Sequence, residues 1–184
     1  MKALFTIHAG EYIAGSHIEA TYKQWSLWLP AKDTGIDLLV TNPKTKRMVS
    51  LQVKSSKDFT PTGTPVQQNN LLAIGWWTHD PKGIAKSVAD FWVFVLPSFF
   101  EKEISYVIAP PAELLRRFQA IPEVCKGKNI QSYFDITKKR RCFQARGLSK
   151  TERDAIAVGE YENKSRDFTK YLNAWKQIED RLNC

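Results

Sequence analysis

Residues 35–56, GIDLLVTNPKTKRMVSLQVKSS, constrain the fold more than any other stretch, because two strand-like runs meet there across a turn. Residues 36–41 and 47–55 carry the runs, and Asn42-Pro43-Lys44-Thr45-Lys46 supplies the turn chemistry. Strand alternation puts Ile36, Leu38 and Val40 on one face of the first run and Asp37, Leu39 and Thr41 on the other. In the second run Val49, Leu51 and Val53 oppose Ser50, Gln52 and Lys54. A turn centred between Lys44 and Thr45 makes facing positions sum to 89, so Asp37 pairs with Gln52 and Lys54 is the diagonal neighbour. A carboxylate, an amide oxygen and an ammonium would then share one face, and a one-residue slip would scatter them. The same pattern also suits a half-exposed hairpin whose polar face meets water. Leu39 interrupts that face, and Gly35 and the Pro43 turn favour the specific placement.

Around the hairpin the order of elements is predictable in outline. Apolar spacing predicts a helix over about residues 8–24, then a short apolar piece ending at Pro30. Residues 57–70, rich in Pro, Gly, Thr and Asn, read as a loop. Strands are expected at 91–96 and 106–109, and a helix at 112–121, where Leu114, Leu115, Phe118 and Ile121 recur at helical spacing. Residues 122–165 are polar and hard to assign beyond a short strand at Tyr133-Phe134-Asp135-Ile136, just before the basic run 138–141. Phe168, Tyr171, Leu172, Trp175, Ile178 and Leu182 form one apolar stripe of a terminal helix, which could serve a core or a homodimer. No internal repeat or low-complexity tract interrupts this order. It predicts an α/β fold, a mixed β-sheet flanked by helices, in one domain spanning 1–184. Its core is expected at about 8–121, with a basic segment and the terminal helix at 122–184.

Composition narrows the class. The 184 residues are 43% hydrophobic and 25% charged, the balance of a chain that buries a core. No apolar run approaches the roughly 20 residues that span a bilayer, and the first residues turn polar too soon for a signal peptide. Cys125, Cys142 and Cys184 share no metal-ligand spacing and suit reduced thiols, so a cytoplasmic protein is expected. Between Arg116 and Arg153 eleven basic residues face three acidic ones, which equals the net charge of +8 for the whole chain. Such clustering suits a polyanion, whose counterions are released on binding. It also suits a merely solvated face. Lys138, Lys139, Arg140 and Arg141 are the strongest phosphate-contact candidates.

Glu11 is the second unusual residue. On a helix beginning near His8 it shares a face with Ala14, Gly15, Ile18 and Tyr22. A carboxylate on a packed face needs a partner or a task. Glu19 instead falls beside Ser16 and Lys23, an arrangement for solvent.

An acid on a first helix, the Gly35-Ile36-Asp37 approach to a strand, and Gln52-Val53-Lys54 on the next strand together resemble the PD-(D/E)XK nuclease superfamily, in a Gln-x-Lys form. The likeness extends in order of elements over residues 8 to about 96 and is similar to restriction-endonuclease-like and Holliday-junction-resolvase-like proteins. It implies a divalent-metal-dependent DNA endonuclease, with Mg²⁺ as cofactor and Mn²⁺ able to substitute. It implies Asp37 as the main metal ligand, Glu11 as a further one and Gln52 as an amide-oxygen ligand. Lys54 would orient or help deprotonate the attacking water. Where the commonest form has Asp or Glu, Gln52 offers a lone pair without a charge, so metal affinity should be modest. A nuclease-like fold that binds nucleic acid without cutting is the alternative.

Other candidates carry less. His8 and His17 lie nine residues apart and do not form an i, i+4 ligand pair, and His79 suits a plain polar role. Trp76 and Trp77 could stack on bases or pack in a core. Gln67 and Gln68 could reach a nucleic-acid backbone. No Gly-rich phosphate loop or Ser-His-Asp order is present.

Overall fold

The structure, a computed structural model, describes residues 8–32, 34–59 and 61–184. Helix α1, Ala9–Thr21, buries Glu11, Ala14, Gly15 and Ile18 on one face, as their spacing predicts. The apolar piece becomes a short strand, β1 (Ser26–Trp28), beside β2 (Leu38–Asn42) and β3 (Arg47–Ser55). β2 and β3 pair from Leu38–Leu51 to Asn42–Arg47, every pair in the expected register. Lys46 closes the turn at φ 58°.

After β3 the chain leaves the sheet through α2 (Pro65–Asn70), strand β4 (Leu71–His79) and α3 (Pro81–Ala85). It returns as β5 (Phe91–Ser98), parallel to β3, and turns back into β6 (Glu103–Ala109). The central sheet therefore runs β1-β2-β3-β5-β6 with one parallel pairing among antiparallel ones. Helix α4 (Pro111–Gln119), strands β7 (Ile130–Thr137) and β8 (Cys142–Gln144), and helices α5 (Lys150–Val158) and α6 (Lys176–Asn183) complete the fold. β4, β7 and β8 form a second, antiparallel sheet.

The architecture is α/β, with a central mixed sheet flanked by helices. β5 is buried along its length because both its faces are covered. Phe91, Val93 and Val95 share a cluster with Leu51 and Val53 of β3, Ile18 of α1, and Ile178 and Leu182 of α6. Trp92, Phe94 and Leu96 meet Trp77 of β4, Phe134 and Ile136 of β7, and Leu114 and Phe118 of α4. Each large side chain so buried contributes roughly 1.5–3 kcal/mol.

Three expectations change. Residues 57–70 are not wholly loop, since Thr64 caps α2 by accepting from the Gln67 N–H. The polar stretch 122–165 holds β7, longer than the short strand expected at 133–136, together with β8 and α5, so the core is not confined to 8–121: Phe134, Ile136 and Cys142 belong to the same cluster as Phe94. The C-terminal stripe does not ride on one helix. Phe168 and Tyr171 join the β4–β7 side, while Trp175, Ile178 and Leu182 join the α1 side. The stripe is thus consumed inside this chain. Among the described residues no helix is long and apolar enough to cross a membrane. The three cysteines are free. The reading of residues 1–7 lies outside the described residues.

Candidate active site

Gly35, at φ 83°, turns the chain toward β2 in a conformation that side chains rarely adopt. Two residues later the Asp37 N–H donates to Leu51 O at 2.8 Å, but β2 itself begins only at Leu38. The expected ladder pair of Asp37 with Gln52 is therefore replaced by another contact. Asp37 Oδ2 accepts from the Val53 N–H at 2.7 Å, standing in for the strand carbonyl that would come next. Position and orientation of this carboxylate are set by the backbone of β3.

Gln52 and Lys54 project from β3 on the side of Trp92 and Phe94, their partners on β5. The Lys54 ammonium lies 5.3 Å from the centre of the Trp92 ring, a cation–π contact that fixes the head of a flexible side chain. Glu11 arrives from the first turn of α1, buried, with Oε2 accepting from the His8 N–H at 3.2 Å. It comes this close because Gly10 packs against the end of β3. A Cβ at Gly10 would fall 2.6 Å from Ser55 Cβ.

His8, Glu11, Asp37, Gln52, Lys54 and Trp77 thus line one cleft of about 460 Å³. Gln52, Lys54 and Trp77 also line an adjoining cleft of about 300 Å³ walled by His79 and Trp92. The structure brings together all four residues that the sequence places at a catalytic centre. Their donors are two carboxylates and an amide oxygen, the hard oxygen set that suits Mg²⁺ or Mn²⁺. Among the described residues no group of three or more His, Cys, Asp and Glu side chains is gathered into a metal site.

His79 belongs to this region, although its sequence context suggests only a plain polar role. It is buried on the inner face of β4 against Trp92, Phe94 and Phe118, with Nε2 3.0 Å from Ser132 Oγ. Burial, reinforced by the charge of Lys54, lowers its pKa to about 4. Alternation along β4 reveals it once 71–79 is taken as a strand. Gly75 disguises that strand, and is there because a Cβ would meet the Trp77 ring at 2.6 Å and Leu96 at 2.9 Å. Trp77 packs inward and its Nε1–H donates to Ser55 O at 3.0 Å, whereas Trp76 is exposed on the opposite face. His17 lies between Tyr106 and Trp175, and burial lowers its pKa.

The basic tetrad is elsewhere and otherwise engaged. It follows β7, whose Thr137 pairs with Leu71, while Ser132 pairs with Trp77 near the cleft. That separation is five to six strand residues, about 20 Å. Lys138 pairs with Glu101 at 2.8 Å, and Lys139 donates to Val158 O at 2.7 Å. Arg140 pairs with Glu103. Arg141 reaches Asp167 and Gly159 O, both at 3.3 Å, and stacks on Phe143. Consecutive residues at a hairpin turn point apart, so a run of charge in the sequence becomes four separate partnerships. Arg153 is likewise held, bidentate on the fully buried Asp135 at 2.8 and 2.9 Å. Gln67 is buried and donates to Asp154, so its amide is not presented outward, whereas Gln68 is exposed and donates to Gly63 O.

No protein-family model and no curated protein matches the chain. One solved structure that it resembles is a bacterial homing endonuclease, I-Ssp6803I, with 14% sequence identity and a TM-score of 0.44 over 93% of this chain and 88% of that one.

Proposed function

We propose that the cleft is the active site of a divalent-metal-dependent DNA endonuclease. The observation that carries this reading is the convergence of Glu11, Asp37, Gln52 and Lys54 from α1, the approach to β2, and β3 on one cleft. Glu11 is buried there and the other three are half-buried, so two carboxylates, an amide and an ammonium share one partly desolvated space. Asp37, Gln52 and Glu11 would hold Mg²⁺, which would supply Lewis-acid polarisation of a phosphoryl oxygen and a bound water more acidic than bulk water. The chain's own contribution is position and charge. Asp37 is held by the Val53 N–H, so its carboxylate is oriented before any ligand arrives. Lys54, steadied by Trp92, would orient the attacking water and stabilise the charge that builds on the phosphoryl oxygens. Trp77 and Gly10 contribute to the walls of the cleft.

The second reading, a module that holds nucleic acid without cutting, is favoured by Gln52, which leaves two carboxylates where three charges would grip a dication more firmly. Cleavage of plasmid and branched DNA across Mg²⁺ and Mn²⁺ concentrations separates the two. The nuclease reading expects metal-dependent cutting by the parent and none by Asp37→Asn. Absence of cutting on every substrate, with salt-dependent DNA binding intact, would leave the binding module. Cutting that survives Asp37→Asn would move the active site elsewhere.

A further inference from the structure

We infer that the outer face of the β4–β7 sheet is a stacking platform for an unpaired nucleic-acid base, close to the candidate active site and distinct from it. The platform is built from an aromatic pair, Trp76 exposed and Tyr133 half-buried. Trp76 and Tyr133 are direct cross-strand partners, their rings 6.0 Å apart and inclined by 21°, and Trp76 is 45% exposed. Phe59, from the segment that leaves β3, extends the row on one side at 6.5 Å from Trp76. Arg146 extends it on the other, its guanidinium 5.2 Å from the centre of the Tyr133 ring.

The rest of this face has an ordinary purpose. Ile74 and Phe143, on the same face, are covered by Ile156 and Ala157 of α5. α5 stops short of Trp76 and Tyr133, so a large apolar ring is left in solvent where a smaller polar residue would be cheaper to solvate.

Charge identifies the occupant. Arg146 has no ion-pair partner among the described residues, in contrast to Lys138, Arg140, Arg141 and Arg153, each paired to a carboxylate. Its backbone is locked, with the N–H on Gln144 Oε1 at 2.7 Å and the carbonyl accepting from Arg166 at 2.8 Å. An aromatic surface ending in a positioned, uncompensated guanidinium matches a flat base joined to a phosphate, in a chain of net charge +8. A paired duplex cannot offer a base face to this surface, so the ligand is a strand with at least one base out of the stack. The place fits too: Trp77, the neighbour of Trp76 on the opposite face, walls the cleft of Asp37 and Lys54, and β4 is an edge strand of its sheet. A strand passing over that edge could hold its phosphate in the cleft and a nearby base on the platform. In taking DNA as the ligand, the inference rests on the nuclease or binding-module reading, but it does not require cleavage.

The test is equilibrium binding by fluorescence anisotropy, in EDTA, to a fully paired duplex, the same duplex with one bulged base, and a single strand. Trp76→Ala and Tyr133→Ala should each weaken binding to the bulged and single-stranded probes by roughly ten- to hundredfold. Affinity for the paired duplex should change less than about twofold, and Trp76→Phe should retain most of the parent affinity. Thermal unfolding of these surface variants checks that they remain folded. Parent-like binding of all three probes by both alanine variants would overturn the inference, as would an equal loss on all three, which marks backbone rather than base recognition. Binding of no probe by the parent would also overturn it and leave the platform to a protein partner. The two claims fail separately. A parent that binds through Trp76 but cuts nothing keeps the platform and loses the nuclease. A parent that cuts, with Trp76→Ala binding as the parent does, loses only the platform.

Discussion

An amide at position 52 offers a dication one oxygen and no charge, whereas Asp37 and Glu11 offer both. Gln52→Glu is therefore expected to tighten metal binding, read by calorimetric titration of Mn²⁺, and to hold or raise the cleavage rate. Unchanged affinity would mean that residue 52 is not a ligand. Lys54→Ala should slow cleavage by about 10²–10⁴-fold under single-turnover conditions, with DNA affinity little altered. A rate near that of the parent would remove Lys54 from the chemistry. His79 gives a prediction about stability. Its pKa of about 4 in the folded chain lies below the 6.5 of the unfolded one, so in that window only the unfolded chain takes up the proton. Stability is complete above pH 6.5 and falls by about 3 kcal/mol as the pH drops toward 4. Denaturant unfolding at pH 7 and pH 4.5 should show a smaller loss for His79→Gln than for the parent. Equal losses in both would contradict the assignment to His79.

At the scale of elements, the approach of α1 to the end of β3 decides whether Glu11 reaches the cleft. Gly10→Ala would put a methyl 2.6 Å from Ser55 Cβ, forcing the helix N-terminus outward. The expected result is a loss of about 1–3 kcal/mol in stability together with a fall in cleavage, both partly restored by adding Ser55→Gly. Restored stability without restored activity would separate Glu11 from the reaction. The same elements explain what was legible beforehand. The register of the hairpin could be read because alternation and the turn agreed, and Leu38–Leu51 through Asn42–Arg47 pair as expected. Glu11 could be read because it shares a helical face with Ala14 and Ile18. Strand β4 could not, since Gly75 breaks the pattern for the sake of the Trp77 ring, and with β4 unread the inward turn of His79 and the outward turn of Trp76 were hidden. The last six apolar residues hid their division because one helical period can serve two cores when a short 3₁₀ turn at Thr169–Tyr171 intervenes.

For the whole molecule, net charge proves a poor guide to where that charge is available. Half of the excess of eight between residues 116 and 153 is matched within the chain by four carboxylates outside that segment, Glu101, Glu103, Glu113 and Asp167. Changing Lys138, Lys139, Arg140 and Arg141 together to Gln should leave the slope of DNA affinity against salt nearly unchanged. A reduction of about 3–4 in that slope would show that all four side chains turn to phosphate and that the tetrad is the nucleic-acid face. The candidate chemistry lies instead between two sheets, with Gln52 and Lys54 from the first, Asp37 from the approach to it and Trp77 from the second lining one cleft. Anomalous diffraction from a crystal soaked in Mn²⁺, at a concentration that supports cleavage, tests that placement directly. The expected result is a peak within coordination distance of the Asp37 carboxylate and the Gln52 amide oxygen. No peak there, or one at another set of oxygens, would contradict the assignment of this cleft as the catalytic centre.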